Sequence, residues 1–244
     1  MIRWLFAWGA RLAAGFFLVS LAVVIAYRFV DPPLTPLMVI RAVDDMAAHR
    51  RVGITKRWVN LKGVSPTLLR AVLAAEDARF FAHHGVDLDA LRRALAYNAR
   101  QRGRRLRGAG TITMQCARNV FLWQGRSYVR KALELYFAPL LELAWGKQRI
   151  LEVYLNVIEW GDGLYGVEAA AERYFGLSAG QLDTRQSALL AAALPDPRRS
   201  NPAAPSRYLA ARAAIISARA ERVRLRLALA GGRRLSARPE DQAR

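Results

Sequence analysis

Residues 65–85 read SPTLLRAVLAAEDARFFAHHG, and this stretch decides the fold class. Ser65-Pro66 offers an N-cap and then a proline at the first helical position, where a missing N–H costs nothing. Leu68, Leu69, Val72 and Leu73 share one face at helical spacing, which predicts a helix running to about Arg79 and stopped by His84-Gly85. Near its end, Glu76-Asp77 follows Ala74-Ala75 and precedes Phe80-Phe81. A carboxylate among apolar neighbours has its charged form poorly solvated, which suits general base or acid work. From these residues alone a second use stays open, an ordinary ion pair of Glu76 or Asp77 with Arg79 or another nearby Arg.

The same pattern continues on both sides. Asp87 can cap a helix carrying Leu91, Ala94, Leu95 and Tyr97, and a helix resumes near Thr111 after a polar, Gly-containing loop. Gly125 breaks the chain, Ser127 caps a helix through Trp145, and Gly146 separates it from Lys147–Asn156. Ser178…Gln181 and Asp183…Gln186 both have capping-box spacing, the second heading the apolar run Ala188–Leu194. Pro195, Pro197, Pro202 and Pro205 mark a loop, Ser206–Leu229 reads as one long basic helix, and 231–244 as a flexible basic tail. The β-forming cluster in Val52–Leu61 marks short strands. The class is mainly α.

The 244 residues suffice for one sizeable domain and an appendage, and 53% apolar content excludes a wholly disordered chain. The single cysteine, Cys116, excludes an internal disulfide and a Cys-based metal site. Leu12–Tyr27 carries no charge; extended at either end, with Arg11 or Arg28 reaching the headgroups, it spans a ~30 Å hydrocarbon core. A cleaved signal peptide fits less well, because no A-x-A site precedes Arg28. Arg3, Arg11 and the amino terminus outnumber the charge after the span, where Arg28 meets Asp31, so the N-terminus is expected inside and the rest outside. Asp31-Pro32-Pro33 and Thr35-Pro36 predict a stiff linker. The expected organisation is a cytoplasmic stub and transmembrane anchor over 1–30, a linker over 31–45, a domain over 46–230 and the tail.

Net charge is +19, with 34 Arg among the 38 basic residues, so the partner is anionic: nucleic acid, lipid headgroups or a phosphorylated substrate. Between Asp89 and Glu134 there is no acidic residue and there are eleven basic ones, whereas a solvated face normally mixes signs. Within that stretch Gly108-Ala109-Gly110-Thr111-Ile112-Thr113 turns into a helix, and such a turn offers N–H groups and hydroxyls to an anion beside Arg118, Arg130 and Lys131. The anchor places this domain away from nucleic acid. Arg130 and Glu134, four apart, either support their helix or let a carboxylate orient cations or help hold a divalent ion. Ile150, Leu151, Tyr154 and Leu155 have core spacing, and the glycines of Gly161–Gly166 permit a tight turn or close substrate approach.

The ordered motifs Glu76-Asp77-x-x-Phe80-x-x-His83-x-Gly85, Gly108-Ala109-x-Thr111-Ile112-Thr113-x-Gln115, Arg130-Lys131-x-x-Glu134 and Lys147-x-x-Ile150-Leu151-Glu152-x-Tyr154-Leu155-Asn156 resemble those of the peptidoglycan glycosyltransferases. This family comprises the polymerising domains of class A penicillin-binding proteins and their monofunctional relatives. The likeness spans about Trp58 to Asn201, and Phe121–Ser127 is similar to the monofunctional Gram-negative branch. The resemblance implies a lysozyme-like fold of two lobes and the polymerisation of lipid II into glycan strands at the periplasmic face of the inner membrane. It implies that Glu76 is the general base that deprotonates the acceptor 4-hydroxyl, and that Glu134 supports the donor pyrophosphate. Arg118, where the family usually has Lys, joins Arg126, Arg130 and Lys131 in a cationic cradle, and Thr111 and Gln115 match donor-side positions. Asp77, Phe80, His83, Gly85, Lys147, Glu152 and Asn156 are supporting motif residues. Gly110 stands where Ser is usual and Met114 where Gln is usual. No redox cofactor is implied, and a divalent cation such as Mg near the pyrophosphate stays open. The implied partners are lipid II, the growing strand, the membrane and other cell-wall synthesis or division proteins. Two rival readings are a lytic transglycosylase or muramidase, for which the acid-free cationic stretch has no use, and a non-catalytic membrane scaffold.

Overall fold

The computed structural model describes residues 2–50, 52–101, 108–125 and 127–226. Helix α1, Ile2–Phe29, contains the apolar run Ala7–Phe29, 23 residues of mean hydropathy 2.1. At 1.5 Å per residue that run measures about 34 Å, enough to cross a bilayer core. Its C-terminal part is seated on the rest of the protein. Ser20 Oγ lies 2.8 Å from the Tyr136 hydroxyl, and Trp145 Nε1 donates to the Val24 carbonyl at 2.7 Å. Arg149 donates to the Tyr27 and Val30 carbonyls, each at 3.0 Å through Nη2, satisfying acceptors that a helix end leaves without partners.

The expected linker is shorter than 31–45. Thr35 caps helix α2, Pro36–Ala47, with Pro36 at its first position, so only residues 30–35 connect the two helices. Leu37 and Met38 give α2 a reason to form, since both are buried against Tyr165. Strand β1, Thr55–Lys56, falls inside the predicted cluster. Strands β2, Glu159–Gly161, and β3, Leu164–Tyr165, complete a sheet of order β1-β3-β2, with β1 parallel and β2 antiparallel to β3. Gly163 turns the chain between them at φ +65°, against the Gly53 backbone, where a Cβ has no room.

Helix α3, Pro66–Glu76, begins after Ser65 as expected, but the Ser65 hydroxyl donates to the Leu182 carbonyl at 2.9 Å instead of capping. It stops at Glu76, short of Arg79, because Asp77 leaves the helical region (φ −161°, ψ 75°) and commits its carboxylate elsewhere. Then follow α4, Leu88–Arg100, α5, Ile112–Phe121, α6, Tyr128–Ala144, and α7, Gly146–Val157. Asp87, Thr111 and Ser127 cap α4, α5 and α6 through their side chains. After α8, Val167–Phe175, the pair Asp183 and Gln186 forms a capping box at the start of α9, Thr184–Ala193. Ser178 and Gln181 have the same spacing but close only a turn, with Gln181 Oε1 accepting from the Ser178 N–H and hydroxyl at 3.1 and 3.0 Å.

The last helix, α10, is Arg207–Ala220, well short of the expected Ser206–Leu229. Beyond it Val223 and Leu225 alternate with Arg222, Arg224 and Arg226, a period of two that suits extended chain, and Leu225 is buried in the core. The expected tail, 231–244, lies outside the described residues. Helices α3, α9 and α10 pack as one group and α5, α6 and α7 as another, around a shared core that includes Leu73, Ile112, Leu141, Leu151, Tyr154 and Leu190. From Ile150 to Val157 helix α7 is buried except at Glu152, as befits a central helix.

Candidate active site

Glu76 ends α3 half-buried, and the first turns of α5 are laid across it. Gln115 Nε2 donates to Glu76 Oε2 at 2.9 Å, and the Tyr154 hydroxyl of α7 donates to Gln115 Oε1 at 3.3 Å. Burial, and then the charge of Glu76, push the Tyr154 phenol well above its ordinary value, so it acts as a fixed donor. One turn along α5, Arg118 feels Glu134, Arg130 and Glu76. Burial is the main influence lowering its guanidinium, and Glu134 is the largest influence opposing it. Arg118 Nε is buried with no partner among the described residues.

Glu134 is 4% exposed, midway along α6. Arg130 Nη1 reaches its Oε1 at 2.5 Å and Lys131 Nζ its Oε2 at 2.9 Å. The Arg130 side chain is 10% exposed and the Lys131 side chain 44%, so one cation is structural wall and the other is reachable. The structure therefore gathers Arg118, Arg130 and Lys131 around one buried carboxylate. Arg126 lies outside the described residues. Gln115, Arg118 and Tyr154 also line a cavity of about 170 Å³, roofed by Leu37 and Arg41 of α2.

The remaining motif residues hold this arrangement in place. Asp77 Oδ2 accepts the Ile112 N–H at 3.0 Å and bonds His83 Nε2 at 3.0 Å, tying the end of α3 to the start of α5. The Lys147 ammonium sits 4.3 Å from the centre of the buried Phe80 ring and bonds Glu142 at 2.7 Å, where the Thr113 hydroxyl also donates, at 2.6 Å. Gly85 has φ +88°, and a Cβ there would stand 3.1 Å from the Ala138 backbone, so only glycine lets this loop rest on α6. Glu152 accepts the Leu61 N–H at 2.8 Å, and Asn156 clamps Val59 through both its N–H and its carbonyl, at 2.9 and 2.8 Å.

Two expectations are corrected. Thr111 is not offered to an anion: its hydroxyl is buried, donates to the Gly85 carbonyl and accepts the Met114 N–H at 3.1 Å. The α5 N-terminus is likewise closed, because Asp77 occupies the Ile112 N–H and Thr113 turns to Glu142. Of the two departures from the family pattern, Met114 is 2% exposed and serves the core. A Cβ on Gly110 meets nothing within 4 Å, so a larger residue would fit there. Tyr154, read as core, is also a site residue, and Glu142 and Arg149 were missed. One more Arg among 34 carries no signal in the sequence.

Each oxygen of Glu134 already holds a protein cation, Arg130 on one and Lys131 on the other. Among the described residues no three His, Cys, Asp or Glu side chains gather as metal ligands.

A family model described as Transglycosylase matches residues 45–221. The chain is 51% identical over 212 residues to the biosynthetic peptidoglycan transglycosylase of Bdellovibrio bacteriovorus, covering 86% of this chain and 84% of that one. It is 53% identical over 189 residues to the protein of that name from Caulobacter vibrioides, covering 78% and 79%. The matched span carries both carboxylates, the cations grouped on Glu134 and the helices that set them in place, and the chain belongs to the transglycosylase family.

Proposed function

We propose that this peptidoglycan glycosyltransferase polymerises lipid II at the outer face of a bacterial inner membrane, with Glu76 as base and the Glu134 cluster as leaving-group site. The observation that carries the reading is the buried Glu134 holding Arg130 and Lys131 beside Arg118, with Glu76 acting on Arg118 as well. The acceptor 4-hydroxyl gives its proton to Glu76 as its oxygen bonds to the anomeric carbon of the growing chain. The anomeric carbon–oxygen bond breaks, and its electron pair leaves with polyprenyl pyrophosphate. Charge that develops on that oxygen needs cations already in place, which Arg118 and Lys131 supply without rearrangement. Hydrolysis of finished glycan has no such anion to stabilise.

A lipid-borne substrate also agrees with how α1 is seated. Ser20, Val24 and Tyr27 lie within the apolar run and touch α6, the junction residue Trp145 and α7 in turn, so the edge of the domain reaches membrane depth. Leu135, Pro139 and Leu143 form an exposed apolar stripe on α6. The reading keeps the N-terminus in the cytoplasm and the domain in the periplasm. The test is incubation of full-length protein in detergent with lipid II, followed by gel analysis. Glycan chains are expected without any partner enzyme. Unconsumed lipid II together with cleavage of finished glycan would hand the site to the lytic reading.

Removing residues 1–30 is expected to do more than release an anchor. Trp145 and Tyr136 lose their partners and Arg149 its carbonyls, so the truncated domain should melt below the full chain in detergent. It should still bind anionic vesicles at low salt, at about 1 kcal/mol per basic residue near the surface. The exposed Trp123, and Leu88, Leu91 and Leu95 of α4 beside Arg92, add apolar contact to that binding, whereas Phe121 and Leu122 pack on the core. Vesicle co-sedimentation against salt and a melting curve check both statements.

A further inference from the structure

A second and larger cavity, about 910 Å³, shares Pro197 with the cavity of Gln115, Arg118 and Tyr154. None of the motif residues lines it. Its sides are β1, the start of β3 at Leu164, helix α8 and the loop Pro197–Asn201. Between the two cavities stands an ion-pair wall: Arg41 bonds Glu159 at 3.2 Å, and Arg198 reaches Asp45 at 3.3 Å and Glu159 at 3.9 Å.

The charges of this cavity are mostly committed. Arg57 pairs with Glu172, Arg198 with Asp162 at 2.5 Å, and the Lys56 ammonium donates to the Pro32 and Pro33 carbonyls. Arg173 is different. It is exposed, lines the cavity beside Tyr174, whose phenol feels its charge, and among the described residues its side chain makes no ion pair or hydrogen bond. The Ser200 hydroxyl has no hydrogen-bond partner among them either, and Asn201 uses only its amide oxygen, for the Ala203 N–H at 3.0 Å. One free guanidinium with a hydroxyl and an amide donor suits a single carboxylate. A pyrophosphate would call for several cations gathered at one point, as Arg118, Arg130 and Lys131 are around Glu134. The volume and the apolar surfaces of Leu164, Tyr174 and Pro197 suit an extended chain, and β1, which lines the cavity, is an edge strand of its sheet, the kind of strand to which a peptide backbone can add.

We propose that this cavity binds the carboxylate-bearing peptide side chain of the substrate glycan, with Arg173 taking the carboxylate. The proposal rests on the polymerase reading, because it is that reaction that brings peptide-substituted sugars past Pro197. It adds a site that distinguishes substrates by the peptide they carry.

The direct test leaves catalysis aside. A soluble disaccharide-peptide without lipid or pyrophosphate is titrated into the full-length protein in detergent. Saturable binding that weakens with salt is expected, and Arg173→Ala should weaken it about fivefold, the upper range for an exposed charge pair. The same peptide with its carboxylates amidated should bind the native protein as weakly as the acid form binds the variant. Ser200→Phe, which puts a ring into the cavity without changing a charge, should weaken binding as well. In turnover, the native enzyme should show a lower KM for lipid II with a free-acid peptide than for the amidated lipid, and in Arg173→Ala the two values should converge. Equal binding of acid and amidated peptides by the native protein overturns the proposal, as does displacement of the peptide by inorganic pyrophosphate in an Arg173-dependent manner. Failure of the native protein to consume either lipid overturns the polymerase reading instead, and the peptide titration reads the cavity regardless.

Discussion

Glu76→Gln is expected to lower polymerisation by a factor of about 10² or more, at a melting temperature no lower than that of the native protein. The substitution keeps volume and keeps an acceptor for Gln115 Nε2, so the Tyr154–Gln115–residue 76 chain of hydrogen bonds survives. It removes a negative charge from the last turn of α3, where the helix dipole disfavours a carboxylate by roughly 0.3–1 kcal/mol. The proposed base thus sits at the unfavourable end of its helix with Gln115 fixing one oxygen, so its neutralisation should not cost stability. Binding of a donor analogue should be nearly unchanged, since the base acts on the acceptor. Melting curves, donor-analogue titration and turnover of lipid II on one preparation separate the outcomes. Near-native turnover in a well-folded Glu76→Gln variant would remove Glu76 from the role of base.

What the sequence showed, and what it concealed, follows from the range of the interactions involved. The caps at Asp87, Ser127 and Asp183 were legible because a side chain and the N–H it accepts lie three residues apart. Strands β2 and β3 were not, because two or three residues carry no period and their pairing with β1 joins positions such as Thr55 and Leu164. The long C-terminal helix was overread for a related reason. Ala and Arg suit a helix locally, while burial of Leu225 by distant helices decides the conformation after Ala220. In the site, the carboxylates and cations stood out through charge asymmetry, but Thr111 could not be assigned correctly without knowing that Gly85 lies against it. The motif residues divide accordingly. Asp77, Gly85, Glu152 and Asn156 join segments far apart in the chain, and their recurrence in an ordered pattern reflects assembly of the cleft as much as its chemistry.

Glu134→Gln should behave unlike Glu76→Gln in every measurement. Glu134 is 4% exposed and holds two cations, one of which, Arg130, is itself buried with its Nε unpartnered among the described residues. Glutamine keeps one oxygen for Arg130 but turns an amide donor toward the Lys131 ammonium. Breaking a buried ion pair by removing one partner costs about 3 kcal/mol or more, which lowers the melting temperature of a domain this size by roughly 6–12 °C. The cost extends to Arg118, whose guanidinium is already pushed down by burial and sustained chiefly by Glu134. Donor-analogue affinity and turnover should therefore fall together, and turnover should stay low far below the melting temperature, where all the protein is folded. Arg118→Ala and Lys131→Ala should also weaken donor binding. The loss at Lys131, whose side chain is 44% exposed, should shrink as salt rises, while the loss at Arg118 should not. If Glu134 were only an ionic prop for α6, cooling the Gln variant would restore full activity, and donor affinity measured on the folded fraction would match the native value.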